Sequence, residues 1–172
     1  DTSGILVVAK DEATREGLKA QLARHDVERE YRALTLGVPR AGRVETLHGR
    51  DPKSRLRFTT RVREGRRAVT LVSVLEVLSG GRAALVACRL ETGRTHQIRV
   101  HLAEQTKTPI LADALYGRRS QDPELRAVEL ALGRQALHAA LLGFVHPVSG
   151  ATLRFESPLP EDMQRALERL RA

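Results

Sequence analysis

The stretch ETGRTHQIRVHL, residues 91–102, gathers two guanidinium groups and two imidazoles in a short span: Arg94, His96, Arg99 and His101. Such donors suit a phosphate or a carboxylate, because a guanidinium stays charged and donates in pairs. Gly93 allows a sharp turn after a strand ending at Glu91. A helix starting near Thr95 or His96 then adds unpaired N–H groups, which favour an anion at the same place. On that helix His96 and Arg99 are three apart and share a face. His96 and His101 stand about 140° apart around a helix, so they do not chelate one metal ion as an i, i+4 pair does. Cys88 is the only cysteine, which removes a cysteine-based metal site and any internal disulfide. In the apolar run AALVACRL it reads as a buried structural thiol. Ile98, Val100 and Leu102 predict that the helix is packed, with Arg99 partly buried. Charge alone fits a solvated basic helix equally well.

Other chemistry is sparse. Tyr31 and Tyr116 are the only tyrosines, and a lone strand tyrosine is ordinarily core with its hydroxyl at the rim. There is no G-x-x-x-x-G-K-[ST] loop, and GVPRAG and SGGR are turn signals. With two tyrosines, three phenylalanines and no tryptophan, an aromatic stacking platform for bases is not expected. The net charge of +8 points to a polyanion such as nucleic acid. A genome rich in Arg codons would give the same composition. Arg55, Arg57, Arg61, Arg63, Arg66 and Arg67 form the densest cluster, which reads as an RNA contact or as the solvated face of a hairpin. An apolar content of 41% excludes a disordered chain. No apolar run approaches the ~18–20 residues of a membrane span, nothing resembles a signal peptide, and a lone cysteine fits a reducing cytoplasm.

The elements that must position these groups follow from pattern. Residues 5–8 read as a buried strand. A helix fits 11–25, with Asp11 as N-cap, Glu12 in the first turn and Arg24 and His25 closing the last. EREYRALTLGV alternates as a strand, with Tyr31, Ala33 and Thr35 on one face, and 43–47 reads as another. LRFTTRV leads through REGRR to AVTLVSVLEVL, and SGG turns that strand into RAALVACRLE as a hairpin. Helices fit about 95–105 and 122–132. A β-pair joined at VSG follows, and an amphipathic helix starts after Pro160. Strands mostly neighbour strands, which predicts an α+β domain with a largely antiparallel sheet.

DTSGILVVAK, EREYRALTLG, GRDPKSR, ETGRTHQIRVHLA, ADALYG and RQALHAALLGFVHPVSGATLRFESPLP resemble, in this order, the successive motifs of the RluA family of pseudouridine synthases. The match spans the chain as a single catalytic domain, 1–172. It implies a mixed, mostly antiparallel sheet with flanking helices and an RNA cleft across it. It also implies a cytoplasmic monomer that isomerises uridine to pseudouridine in structured RNA (rRNA or tRNA), with no cofactor, metal or membrane. A catalytically idle RNA-binding module on the same fold is the competing reading, and a basic hydrolase or nuclease a distant third. By resemblance, Tyr31 is the tyrosine that stacks on the target uracil and takes part in proton transfer at C5. Arg99 is the basic residue that pairs with the catalytic carboxylate, and Arg94, His96, Thr2 and Ser3 contact substrate. The family nucleophile is the Asp of a His-Arg-Leu-Asp string, two spacer residues ahead of the Thr-Ser-Gly seen here as Thr2, Ser3 and Gly4. It would fall two positions before Asp1, so Asp1 matches a spacer and the 172-residue chain alone is expected to form no pseudouridine. One departure is Ala112, where the family usually has Gly.

Overall fold

The computed structural model describes residues 1–172. Strand β1 (Ser3–Gly4) and helix α1 (Glu12–Arg24) lead to strands β2 (Glu28–Leu36), β3 (Gly42–Arg50), β4 (Phe58–Thr59), β5 (Arg66–Leu78) and β6 (Ala83–Leu90). Helix α2 (Gln97–Val100) runs on as a π-helical turn, His101–Gln105. Helix α3 (Pro123–Leu132), strands β7 (Leu137–Val145) and β8 (Thr152–Glu156), and helix α4 (Glu161–Arg171) complete the chain. One sheet holds every strand in the order β1-β7-β2-β6-β5-β3-β4, with β8 also on β7. Only β1 and β7 are parallel. The expected α+β class and antiparallel sheet are therefore observed.

Capping accounts for the helices. Asp11 accepts from the Thr14 N–H at 2.8 Å, and His25 closes α1 in the left-handed conformation. Asp122 caps α3 ahead of Pro123, and Gly133 ends it at φ 62°. In α4, Met163, Ala166, Leu167 and Leu170 form the buried stripe. They join α3 and the centre of the sheet in one core that includes Leu34, Val86, Leu102 and Leu111. Ala33 and Leu34 are adjacent on β2, hence on opposite faces, and both are fully buried. The middle of β2 is thus covered on both sides, and alternation there does not separate an inner from an outer face. Cys88 is fully buried as expected, and burial pushes its thiol up to about 12.

The expected strand over residues 5–8 does not form. Ladder pairing stops after Ser3↔His138 and Gly4↔Ala139, with a last bond from the Ile5 N–H to the Ala139 carbonyl. From Leu141 onward the same edge of β7 pairs with β8, starting at Leu141↔Glu156. Residues 5–8 have no edge to join, and Leu6 and Val8 are three-quarters exposed. Likewise LRFTTRV gives only the two-residue β4. Glu104, on the π-helical turn, holds it by accepting from the Thr59 and Thr60 hydroxyls and the Thr60 N–H.

Candidate active-site cleft

A cleft of about 530 Å³ opens where β1, β2, the end of β6, the turn into α2 and the start of β7 meet. Tyr31 enters it from β2 between two small neighbours, Cys88 on β6 and Ala139 on β7. The β2–β7 register slips between Glu30 and Tyr31, so Ala140 is the extra residue on β7. Such bulges re-aim the side chains beside them. Burial raises the Tyr31 phenol above its ordinary value, opposed by Arg29.

The turn from β6 to α2 is fixed by Gln97. Its side-chain oxygen accepts from the Thr92 hydroxyl at 2.8 Å and the Arg94 N–H at 3.0 Å. Its amide nitrogen donates to the Val69 carbonyl at 2.9 Å and the Thr70 hydroxyl at 3.0 Å. A buried amide with both ends engaged sets one conformation for the turn, and Arg94, His96 and Arg99 line the cleft from it. His96 takes a left-handed backbone, φ 59°, so α2 begins one residue after it rather than at it. Both His96 and Arg99 still reach the cleft.

Arg99 donates Nε to Asp113 Oδ2 at 2.8 Å and Nη2 to Oδ1 at 2.7 Å. Asp113 also accepts the N–H groups of Leu115 and Tyr116 at 2.9 and 3.0 Å. Burial would push the Asp113 carboxyl up, but Arg99 and these backbone donors outweigh it and hold the carboxyl below its ordinary value. The Arg99 guanidinium lies 5.0 Å from the Tyr116 ring centroid, within cation–π range. Of the residues named from sequence, Thr2, Tyr31, Arg94, His96 and Arg99 share this one cleft, and Asp1 lines it too. Ser3 does not. Neighbours in a strand point to opposite faces, and the Ser3 hydroxyl lies 3.0 Å from His138 Nδ1. Sequence reasoning missed Asp113, Tyr116 and Gln135, whose amide donates to the Thr2 hydroxyl at 2.8 Å. The Asp-x-x-Tyr spacing of ADALYG was the available signal for the first two, since Asp side chains often accept backbone N–H groups two or three residues on. No cluster of His, Cys, Asp and Glu suited to a metal ion is present.

Fold and cleft together define a class that comparison with known proteins identifies. A family described as RNA pseudouridylate synthase matches residues 1–104, and the chain belongs to that family. It is 44% identical over 167 residues to the ribosomal large subunit pseudouridine synthase D of Zymomonas mobilis, covering 95% of this chain and 51% of that protein. It is 42% identical over 189 residues to the chloroplastic RNA pseudouridine synthase 2 of Oryza sativa, covering 98% and 42%. Among solved structures, human RNA pseudouridylate synthase domain containing 4 superposes with a TM-score of 0.69 at 25% identity, covering 94% of this chain and 69% of that one. The chain spans about half the length of the curated relatives it matches.

Proposed function

We propose that this chain is the catalytic domain of an RNA pseudouridine synthase acting on uridines in ribosomal RNA. The observation that carries the reading is the meeting of Tyr31 and Arg99 in one cleft of a chain of this family. A uridine inside a helix hides its glycosidic bond, so the nucleotide must be extruded or already unpaired. An aspartate then attacks the ribose or the base, the N1–C1′ bond breaks, the uracil turns, and C5 bonds to C1′ as the bond to the aspartate breaks and frees its carboxylate. The C5 proton is lost and N1 gains one, so atoms and electrons balance without an oxidant. Tyr31 stacks on the uracil and takes part in proton transfer at C5.

By the family resemblance the nucleophile is the aspartate of the His-Arg-Leu-Asp string that leads into Thr-Ser-Gly, and Arg99 is inferred to hold its charge. The bidentate grip on Asp113 uses Nε and Nη2 of Arg99, and Nη1 remains for that second carboxylate. The names of the bacterial relatives favour ribosomal RNA over transfer RNA as substrate. A cytoplasmic monomer completes the reading. The test is to map pseudouridines in ribosomal RNA from cells lacking the gene. One or more sites should revert to uridine and return with the wild-type gene. An unchanged map in ribosomal RNA, with losses in transfer RNA or nowhere, would reject the substrate or the activity respectively. In a protein that carries that string, Asn at its aspartate should abolish turnover while Asp1→Asn keeps most of it.

A further inference from the structure

His96 is built into the cleft wall under more constraint than a surface cation requires. Its backbone is left-handed at φ 59°. Its ring stands edge-on to Phe58 and Tyr116, with centroids 5.9 and 5.5 Å away. His96 Nδ1 lies 2.9 Å from the Tyr116 hydroxyl, whose oxygen already accepts the Phe58 N–H at 2.8 Å. Tyr116 is only 6% exposed, so its own proton needs an acceptor within the protein, and His96 Nδ1 is the one in reach. The phenol therefore donates to Nδ1, and a neutral ring carries its proton on Nε2. Burial, then Arg99, with Asp113 opposing and His48 adding, holds the imidazole below its ordinary pKa. Nε2 is left without a protein partner on a residue that lines the cleft. Arg94 lines the same wall and commits only Nε, to the Arg67 carbonyl at 3.1 Å.

We propose that His96 is a neutral donor with a fixed tautomer, whose Nε2–H, beside the Arg94 guanidinium, holds a backbone phosphate oxygen of the bound RNA. Tyr116 is its positioning residue. The assignment rests on the RNA-binding reading above and adds which part of the RNA is held, by which atom, and in which protonation state.

Two measurements test it. Imidazole ¹H–¹⁵N correlation spectra of the 172-residue protein at pH 7 should show His96 protonated at Nε2 and bare at Nδ1, and Tyr116→Phe should mix the tautomers. A proton on Nδ1 in the wild type overturns the assignment. The second is anisotropy with a labelled RNA hairpin carrying uridines in its loop. His96→Asn should weaken binding about 10-fold or more, the range of one hydrogen bond from a neutral donor to a charged acceptor. The salt slope should stay unchanged, because a neutral donor releases no counterion. Asn also suits the left-handed backbone, and a melting curve confirms folding. His96→Gln, whose amide N–H reaches toward the Nε2 position, should retain most affinity. In a set of hairpins with one methylphosphonate each along the loop, one position should cost the wild type more than it costs His96→Asn. A salt slope reduced by a full contact, or equal penalties at every position, overturns the phosphate assignment. A wild-type protein that binds no hairpin overturns the RNA reading itself, and this assignment with it.

Discussion

Arg99 and Asp113 form a pair whose side chains are 12% and 0% exposed, so removing either partner strands a buried charge. Arg99→Ala should cost roughly 3–5 kcal/mol of stability. In the complete protein, at a temperature where the variant is folded, it should lower the isomerisation rate far more than RNA affinity. Unchanged single-turnover pseudouridine formation would remove Arg99 from the reaction. The pair also sets a pH dependence. Asp113 titrates below its ordinary value in the folded state. Its contribution is therefore fully present above the unfolded value of about 3.9 and is lost as pH falls through the lower folded value. The gap in melting temperature between wild type and Asp113→Asn should be constant from pH 7 to about 5 and should close below about 4. A gap that widens on acidification would contradict the sign. The sequence offered Arg99 as a partly buried cation and, by resemblance, as the partner of the catalytic carboxylate, but not its pairing with Asp113 fourteen residues on. Pairing across a turn is a product of the fold, not of local spacing.

At the level of elements, the turn after Leu111 carries its own test. Ala112 adopts φ 57°, a region where an L side chain costs about 1–2 kcal/mol. This is the physical content of the departure from the glycine usual in the family. Ala112→Gly should relieve that strain and stabilise the protein by about 1 kcal/mol, less the entropy of the freer unfolded chain. Equilibrium urea unfolding would show it as a higher midpoint at constant slope. Gly4 gives the opposite case. It sits at φ 104°, and a Cβ there would lie 2.1 Å from the Ala139 carbonyl oxygen. Gly4→Ala should detach β1 from β7, displacing Thr2 from the cleft with little loss of the main core. Loss of amide protection at Ile5, whose N–H bonds to Ala139, with protection kept in β2 and β6, is the expected exchange pattern. The N-cap of α1 and the β5–β6 hairpin were readable because their signals are local. Residues 5–8 were not, because their strand potential is real but β8 holds the edge they would need.

Across the whole molecule, charge is distributed unevenly in its availability. Many arginines are paired, as in Arg134 with Asp162 and Arg171 with Glu76. Arg55, Arg61, Arg63 and Arg66 have no acidic partner and are exposed on the segment around β4. If that segment tracks the RNA backbone, log Kd against log salt should be steep, with about 0.7 per single-strand phosphate contacted. Reversing Arg61 and Arg63 to Glu should reduce the slope by the contacts removed, while leaving the fold intact. A slope near zero in the wild type would argue against a polyanionic partner. Charge composition pointed to a polyanion as one of two open readings, but which arginines remain unpaired depends on strands brought together by the sheet. Arg67 illustrates this: it belongs to the same sequence cluster and is held by Glu45 on β3.

The sheet order also bears on when the protein becomes competent during its synthesis. Strand β2 ends at Leu36, yet one of its two neighbours, β7, runs from Leu137 to Val145. Tyr31 therefore waits for more than a hundred further residues before the wall beside it exists. At about 5–20 residues per second, the ribosome needs on the order of ten seconds to supply them. Until β6 is complete at Leu90 neither neighbour of β2 exists, and from then until β7 emerges β2 can pair with β6 alone, with its other edge open. A nascent chain stopped before Leu137 should thus show an intact β5–β6 hairpin and an unprotected β2 edge, which makes it a natural client for chaperones that shield exposed strands.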